Sequence, residues 1–178
     1  MRFLIKRDYA AQIREHVKNI IGGHNDYTIE DAEDAAIEQA SSYLRGRYNL
    51  EATFPALPIF STTAQYNEGD YVVSTSDRIY KALVDDPGTD LSDTADWKPE
   101  DPRNKHLITI VVDLTLYLLF TNTGRQLSEL RVKRYDDAIN WLEKVQKEEL
   151  SPALPLIDED KPSGQYLMGS DTKYRDRW

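Results

Sequence analysis

The side chains in this sequence that could carry out chemistry are few and far apart. The three histidines, His16, His24 and His106, show neither the i, i+4 spacing nor the flanking carboxylates of a metal site, so we interpret them as surface or capping residues. The chain has no cysteine, which excludes disulfides, cysteine-bound zinc and thiol catalysis. Neither a glycine-rich phosphate loop nor a Ser–His–Asp order is found. The sequence therefore predicts a protein that is not an enzyme and binds no metal or cofactor.

The aspartates offer two further possibilities. Residues 86–93 are acidic, but they lack the alternating ligands and the closing glutamate of an EF-hand loop, so we expect a solvated acidic loop. Asp113 stands alone in an apolar stretch, where it could act as a general base with a raised pKa. Because an unpaired buried charge is costly, we expect instead that Asp113 pairs with an Arg or Lys of a neighbouring helix or subunit.

The net charge is distributed unevenly along the chain. It is −9 in total, and residues 61–100 hold nine acids and three bases, so −6 belongs to this segment. This balance argues against a surface that coats nucleic acid, because phosphate binding needs clustered Lys and Arg. The basic residues concentrate at Arg45, Arg47, Arg131, Lys133 and Arg134. They are either surface charges that balance nearby acids or a subunit contact in which arginines bind a neighbour's carboxylates.

The spacing of apolar residues predicts a mainly α protein, a small bundle of about four helices. The helices are expected at residues 8–21, 28–44, 102–120 and 128–150, the second after a capping-box pattern at Thr28 and Asp31. The third is apolar nearly all round, as a central buried helix would be, although its β-branched residues leave a strand possible. Its apolar window is shorter than the roughly 20 residues of a membrane span, and the N-terminus does not resemble a signal peptide, so no membrane association is expected.

Residues 61–100 interrupt this helical pattern. Tyr66–Val73 and Arg78–Val84 are typical of two short strands bounded by turn residues. A small antiparallel β module is thus expected between residues 1–60 and 101–150, which would form the helical core. Residues 49–60 contain two prolines and are interpreted as an extended connector. Residues 151–178 combine prolines and glycines with many apolar side chains, which predicts an extended C-terminal arm that docks on a partner.

Two ordered motifs resemble a known family. The first is Tyr-Leu-x-Gly-Arg-Tyr at residues 43–48, and the second is Arg-Val-Lys-x-Tyr-Asp-x-Ala-Ile-x-Trp-Leu at residues 131–142. Between them lies the apolar helix with its central Asp113. Together with the capped second helix and the proline-containing connector, they are similar to the Mu-type head-completion proteins, which belong with the head–tail adaptors of tailed bacteriophages. The resemblance covers residues 5–58 and 102–155.

This resemblance implies a structural virion protein at the head–tail junction, assembled in the host cytoplasm. It would form a dodecameric ring beneath the portal, link the capsid to tail or neck proteins, and line the channel through which DNA passes without specific binding. Its partners would be further copies of itself, the portal protein and tail or neck proteins. The residues expected at these interfaces are Arg45, Arg47, Tyr48, Arg131, Arg134, Tyr166, Tyr174 and Trp178. A tail terminator or tail-completion protein, on the other side of the junction, is an alternative.

The inserted module resembles a different family. Tyr66-x-x-Gly-Asp-x-Val, Tyr80-Lys-Ala and Trp97 are similar to the small chitin-binding-type (family 5/12) carbohydrate module. The leading tryptophan of that module is absent, and Leu83-Val84-Asp85 replaces the aromatic pair that usually follows the Tyr-x-Ala sequence. The resemblance implies a glycan site formed by Tyr66, Tyr71, Tyr80 and Trp97. It suggests an alternative function, a carbohydrate-binding protein that aids host attachment, beside a purely structural role for the module.

Overall fold

A computed structural model of the chain describes residues 3–10, 26–122 and 126–157. Within these ranges there are five helices and one three-stranded sheet, in the order α1 (Lys6–Ala10), α2 (Asp26–Leu44), α3 (Leu50–Thr53), β1 (Tyr71–Val73), β2 (Ile79–Ala82), β3 (Trp97–Pro99), α4 (Lys105–Asn122) and α5 (Glu129–Gln146). The expectation of a helical protein with a small antiparallel sheet is confirmed. Most of the first predicted helix, residues 8–21, lies outside the described residues.

Helix α4 lies at the centre of the helical part and contacts α1, α2 and α5. Every side chain from Ile110 to Leu116 is buried, which confirms the prediction of a central helix. Its β-branched residues are helical because burial on nearly all sides outweighs their lower helix propensity. By length and composition alone α4 could cross a membrane, but its apolar side chains pack within the main hydrophobic cluster of this protein.

The two helices beside α4 bury regularly spaced faces. The buried alanines of α2 recur every four residues: Ala32, Ala36 and Ala40. Small side chains at this spacing allow two helices to approach closely. The buried residues of α5 also lie on one face: Ala138, Leu142 and Val145. These are the faces that the apolar period of the sequence predicts.

Several helix boundaries differ from the sequence predictions, and one short helix was not predicted. Helix α2 begins at Asp26, so Thr28 lies inside its first turn and is not its N-cap. Residues 50–53 are helical rather than extended, because the Asn49 side chain accepts a hydrogen bond from the Ala52 N–H at 3.1 Å and caps α3. Helix α5 ends at Gln146, before the predicted residue 150, because Glu148 turns the chain with a left-handed φ of 61°.

The β module has its own aromatic core on one face of the sheet. The strand order is β1-β2-β3, and Val72 pairs with Tyr80 across the first two strands. On the same face the rings of Phe60, Tyr66 and Trp97 contact one another, with centroids 5.6 to 5.8 Å apart. Strand β3 was not predicted, because three residues that include a proline carry too little alternation to indicate a strand.

The opposite face of the sheet attaches the module to the rest of the protein. Val73 and Ile79 pack there with Leu57 of the connector and with Ile5, just before α1. The sheet therefore cannot turn freely relative to the N-terminal segment, and the junction between them is a defined surface.

The C-terminal arm begins on this subunit's own surface. Leu156 forms an antiparallel bridge with Tyr48, the Asn49 N–H donates to the Pro155 carbonyl at 2.9 Å, and Leu154 is buried. The described beginning of the arm therefore packs against the residues that follow α2. Residues 158–178, and with them the predicted interface residues Tyr166, Tyr174 and Trp178, lie outside the described residues.

Candidate functional site

Asp113 connects the central helix α4 to the second sequence motif, residues 131–142. Arg131, in the first turn of α5, donates a hydrogen bond from Nη1 to Asp113 Oδ1 at 3.0 Å, and Arg134 Nη1 lies 3.9 Å from the same oxygen. Ser128 is the N-cap of α5 and accepts a hydrogen bond from the Arg131 N–H at 3.3 Å, which fixes the first turn of the helix. The expected pairing of Asp113 with a neighbouring helix is confirmed.

Burial dominates the electrostatics of this ion pair. Burial raises the pKa of Asp113, and the positive charges of Arg131 and Arg134 offset part of this effect. Burial also lowers the pKa of Arg131, against the attraction of Asp113. Because desolvation cancels much of the attraction, the pair contributes more to the orientation of α5 than to net stability.

Tyr135, in the second motif, joins α5 to both of the other long helices. Its ring stacks on Tyr117 of α4 with a centroid distance of 3.9 Å, and its hydroxyl accepts a hydrogen bond from Gln39 Nε2 of α2 at 2.9 Å. Further along α5, the half-buried Trp141 meets the ring of His106 edge-on at 4.9 Å. The aromatic residues of this motif therefore serve to pack α5 onto the helical core.

The first motif ends α2 and holds the beginning of the C-terminal arm. Leu44 and Tyr48 are buried in the main hydrophobic cluster, whereas Gly46 is exposed. Arg47 donates a hydrogen bond from Nη2 to the Ser151 hydroxyl at 3.1 Å, and its carbonyl accepts one from the Ile157 N–H at 3.1 Å. The motif thus fixes the point at which the chain enters residues 158–178.

The residues predicted at interfaces fall into two groups. Tyr48 is buried in the subunit's own core, so its assignment to a partner contact is corrected. Arg131 is half-buried and binds Asp113 within the subunit. Arg45 is exposed and pairs with Glu38 at 3.2 Å, whereas Arg47 and Arg134 are half-buried.

Large apolar side chains are exposed in the segment that follows α5. Leu150, Leu156 and Ile157 are 38%, 59% and 40% exposed. Through its contacts with Ser151 and Ile157, Arg47 lies beside this segment. A cluster of exposed apolar side chains beside an arginine is typical of a surface that contacts another protein.

The four residues predicted to bind a glycan do not share one surface. Trp97 is 1% exposed, and its indole N–H donates to the Gly88 carbonyl at 2.8 Å. Tyr66 is buried in the same aromatic core. Tyr71 and Tyr80 are half-buried, and the strand register places them on opposite faces of the sheet. The predicted stacking platform is not formed, because so small a module needs its aromatic rings to fill its core.

A buried cluster centred on Arg103 was not predicted. Arg103 is 5% exposed and donates hydrogen bonds to both Asp8 oxygens at 2.6 and 3.2 Å, to both Asp101 oxygens at 2.8 and 2.9 Å, and to the Phe3 carbonyl at 2.7 Å. Burial lowers the pKa of Arg103, but the bonds to Asp101 and Asp8 outweigh burial and raise it. The same bonds hold the pKa of Asp101 below its usual value, although burial opposes them. The cluster ties the N-terminal segment to the chain that leaves the module.

A cleft of about 610 Å³ opens beside this cluster, at the junction of α1, the start of β2 and the first turns of α4. Its apolar lining includes Ile5, Ile79 and Ile108. Its exposed cations are Arg7, Arg78 and Lys105. Among the residues that the structure describes, none of these three cations takes part in an ion pair.

The acids of this cleft are mostly engaged. Asp8 and Asp101 bind the buried Arg103, and Glu100 binds Lys98 at 2.7 Å. Of the acids that line the cleft, Asp77 alone has no ion pair within the described part of the chain. The groups available to a bound molecule are therefore mainly cationic, on a protein whose net charge is −9.

No group of three or more metal-ligating side chains occurs within the described residues. His106 is exposed on α4, and His16 and His24 lie outside the described ranges. In the acidic loop, Asp90 accepts a hydrogen bond from the Ser92 N–H at 2.9 Å, and Asp93 accepts one from the Ala95 N–H at the same distance. These carboxylates fold their own loop, as expected of a solvated acidic loop.

Compared with known proteins, the chain matches no family model, and no curated protein or solved structure is similar to it.

Proposed function

We propose that this chain is a structural virion protein, a mainly α connector subunit that forms a ring beneath the portal and links the capsid to the tail. The observation that carries the proposal is the 3.0 Å ion pair between Asp113 and Arg131. The central aspartate of the apolar helix and the Arg-Val-Lys motif are two of the features on which the resemblance to head–tail adaptors rests. In the fold they are parts of one structural unit.

The surface of the helical part supports a role in assembly. The exposed apolar side chains of residues 150–157 lie beside Arg47, and this is where the chain leads into residues 158–178. In the proposed ring, residues 8–21 would complete a bundle of four helices, and residues 158–178 would contact the portal or a neck protein. The negative net charge suits a channel wall, because it disfavours binding of DNA phosphates.

The proposal is tested by locating the chain in phage particles. Purified particles would be labelled with an antibody against this chain and reconstructed by electron microscopy. We expect a ring of copies between the portal and the tail. Absence from the particles, or a position at the fibre tips, would contradict the proposal, and density on the tail side of the junction would favour a tail-completion protein. The carbohydrate-binding alternative lacks a specific observation in its favour, since Trp97 and Tyr66 are buried.

A further inference from the structure

The β module carries opposite charges at the two ends of strand β2. Arg78 immediately precedes β2 and lines the cleft with two further cations. The acidic loop, residues 83–96, follows β2 and holds five aspartates and no lysine or arginine. At roughly 3.3 Å per residue, the four residues of β2 place Arg78 and the first residue of the acidic loop about 17 Å apart. One molecule therefore presents both surfaces at separate places.

The acidic loop is shaped to present its charges outward. Asp85, Asp86, Asp90 and Asp93 are all exposed. The loop keeps this shape through its own hydrogen bonds, which include one from the Gly88 N–H to Asp96 at 2.8 Å. Hydrogen bonds from Ser92 hold the pKa of Asp90 below its usual value. Val84, the second residue of the loop, is an exposed apolar side chain that could contact an apolar lining.

We propose that the acidic loop of one copy of this chain binds in the cleft of the next copy. The arginines of the cleft can bind carboxylates through paired hydrogen bonds, and its isoleucines offer a surface for Val84. Because the two surfaces differ and lie apart, the contact is heterologous, so each copy keeps a free loop and a free cleft for further copies. Such a contact builds a ring or a filament. The closure into a ring rests on the proposed function, whereas the contact itself does not.

Directed cross-linking tests this contact, and the absence of native cysteines makes it simple. Thr89 is exposed in the acidic loop, and Thr109 is exposed on the cleft. We expect Thr89→Cys and Thr109→Cys chains, mixed under mild oxidation, to form a mixed disulfide dimer in preference to either homodimer. A chain with both substitutions should form a ladder of linked copies. Thr62→Cys, exposed in the loop before β1, serves as the matched control for Thr89→Cys and should not link to Thr109→Cys.

Charge reversal provides an independent test. Arg78→Glu combined with Lys105→Glu should abolish both the mixed disulfide and self-association measured by sedimentation, and raised salt should weaken them in the wild type. Asp86→Lys combined with Asp90→Lys, which reverses the charge of the acidic loop, should also abolish the mixed disulfide and self-association. Mixing the two reversed chains should restore the contact. Circular dichroism of each variant checks that these exposed substitutions leave the fold intact.

The outcomes separate this contact from the proposed function. Absence of the mixed disulfide, or a disulfide that forms equally in the charge-reversed chains, would overturn the contact even if the particles contain a ring of this chain. A specific ladder from a protein that is absent from the head–tail junction would support the contact and contradict the proposed function.

Discussion

Asp113 of α4 and Arg131 of α5 form an ion pair with a 3.0 Å bond between Arg131 Nη1 and Asp113 Oδ1. Both side chains are largely shielded from water, and Arg134 stands 3.9 Å from the same carboxylate oxygen. The pair sets the position of the first turn of α5 on the central helix. Tyr135 then packs in the following turn, against Tyr117. The charged and aromatic side chains of the second motif therefore contact the central helix and hold α5 against α4.

Removing one partner of this ion pair should lower the stability of the protein more than removing both. Arg131→Ala leaves a buried carboxylate with Arg134 as its nearest cation, and we expect a loss of about 1–3 kcal/mol in the free energy of unfolding. Asp113→Leu with Arg131→Leu should stay within about 1 kcal/mol of the wild type, because two desolvation costs disappear together. Urea denaturation measures both, with the exposed Lys133→Ala as control. A double variant as unstable as the single one would refute this account.

Arg103 should be among the most sensitive positions in the protein. Arg103→Met leaves Asp8 and Asp101 without their shared cation, and we expect it to lower the free energy of unfolding by about 3–5 kcal/mol. Arg103→Lys keeps the charge, but a lysine cannot reach all the acceptors. The free energy of unfolding of Arg103→Lys should therefore lie between those of Arg103→Met and the wild type. Arg78→Met, in the same region but exposed, should be nearly neutral. An equal loss in Arg78→Met and Arg103→Met would mean that burial of the cluster is unimportant.

Acid should destabilise the protein through Asp101. The pKa of Asp101 is lower in the folded chain than in the unfolded one, so the unfolded chain binds more protons in the acidic range and stability increases with pH there. The stabilisation is present above about pH 4, near the unfolded pKa, and is lost as the pH falls through the folded pKa. Asp101→Asn should therefore show a smaller loss of stability on acidification, measured by thermal unfolding at a series of pH values.

Asp113 should affect the pH dependence of stability in the direction opposite to Asp101. Its pKa is raised in the folded chain, so the folded state binds more protons above about pH 4, and this contribution to stability falls as the pH rises towards the folded pKa. Asp113→Asn removes that contribution, so its stability should decline less than that of the wild type over this range. The same pH dependence in Asp113→Asn and Asp101→Asn would contradict these assignments.

Trp97 should hold the β module together. Trp97→Ala removes a buried indole from a core of few side chains. We expect it to lower the free energy of unfolding of the β module by about 3–5 kcal/mol. Hydrogen exchange should show lost protection in β1 and β2 but retained protection in α4. Trp141→Ala, which removes a half-buried ring, should cost less, about 1–3 kcal/mol. Loss of protection throughout α4 in Trp97→Ala would show that module and core fold as one unit.

Gly69 should be required for its backbone conformation rather than for space. Its φ is +93°, and no atom lies within 4 Å of an added Cβ, so Gly69→Ala should cost about 1 kcal/mol from backbone strain. Gly46 also has open space around it but no positive φ, so Gly46→Ala is the matched control and should be nearly neutral. Equal melting temperatures for the two variants would exclude the role assigned to the Gly69 turn.

Local patterns in the sequence were sufficient for much of the fold. The apolar period predicts the faces of α2 and α5, and the continuous apolar run predicts the central helix. The isolated charge at Asp113 predicts a basic partner from a neighbouring element, because burial of an unpaired charge is costly. These inferences succeed because each depends on residues a few positions apart or on the energetics of one side chain.

Contacts between distant parts of the chain required the three-dimensional structure. Asp8 and Arg103 are 95 residues apart, and nothing in either local sequence indicates that they meet. Tyr48 and Trp97 are of residue types that are common in binding sites, but the path of the chain buries both of them. Tyr48 lies in the core of the helical part and Trp97 in the core of the β module. A side chain's role depends on whether water or another element covers it, and that is decided by where the elements pack. The local pattern specifies helices and strands, whereas their packing determines which arginines and aromatic rings remain available to a partner.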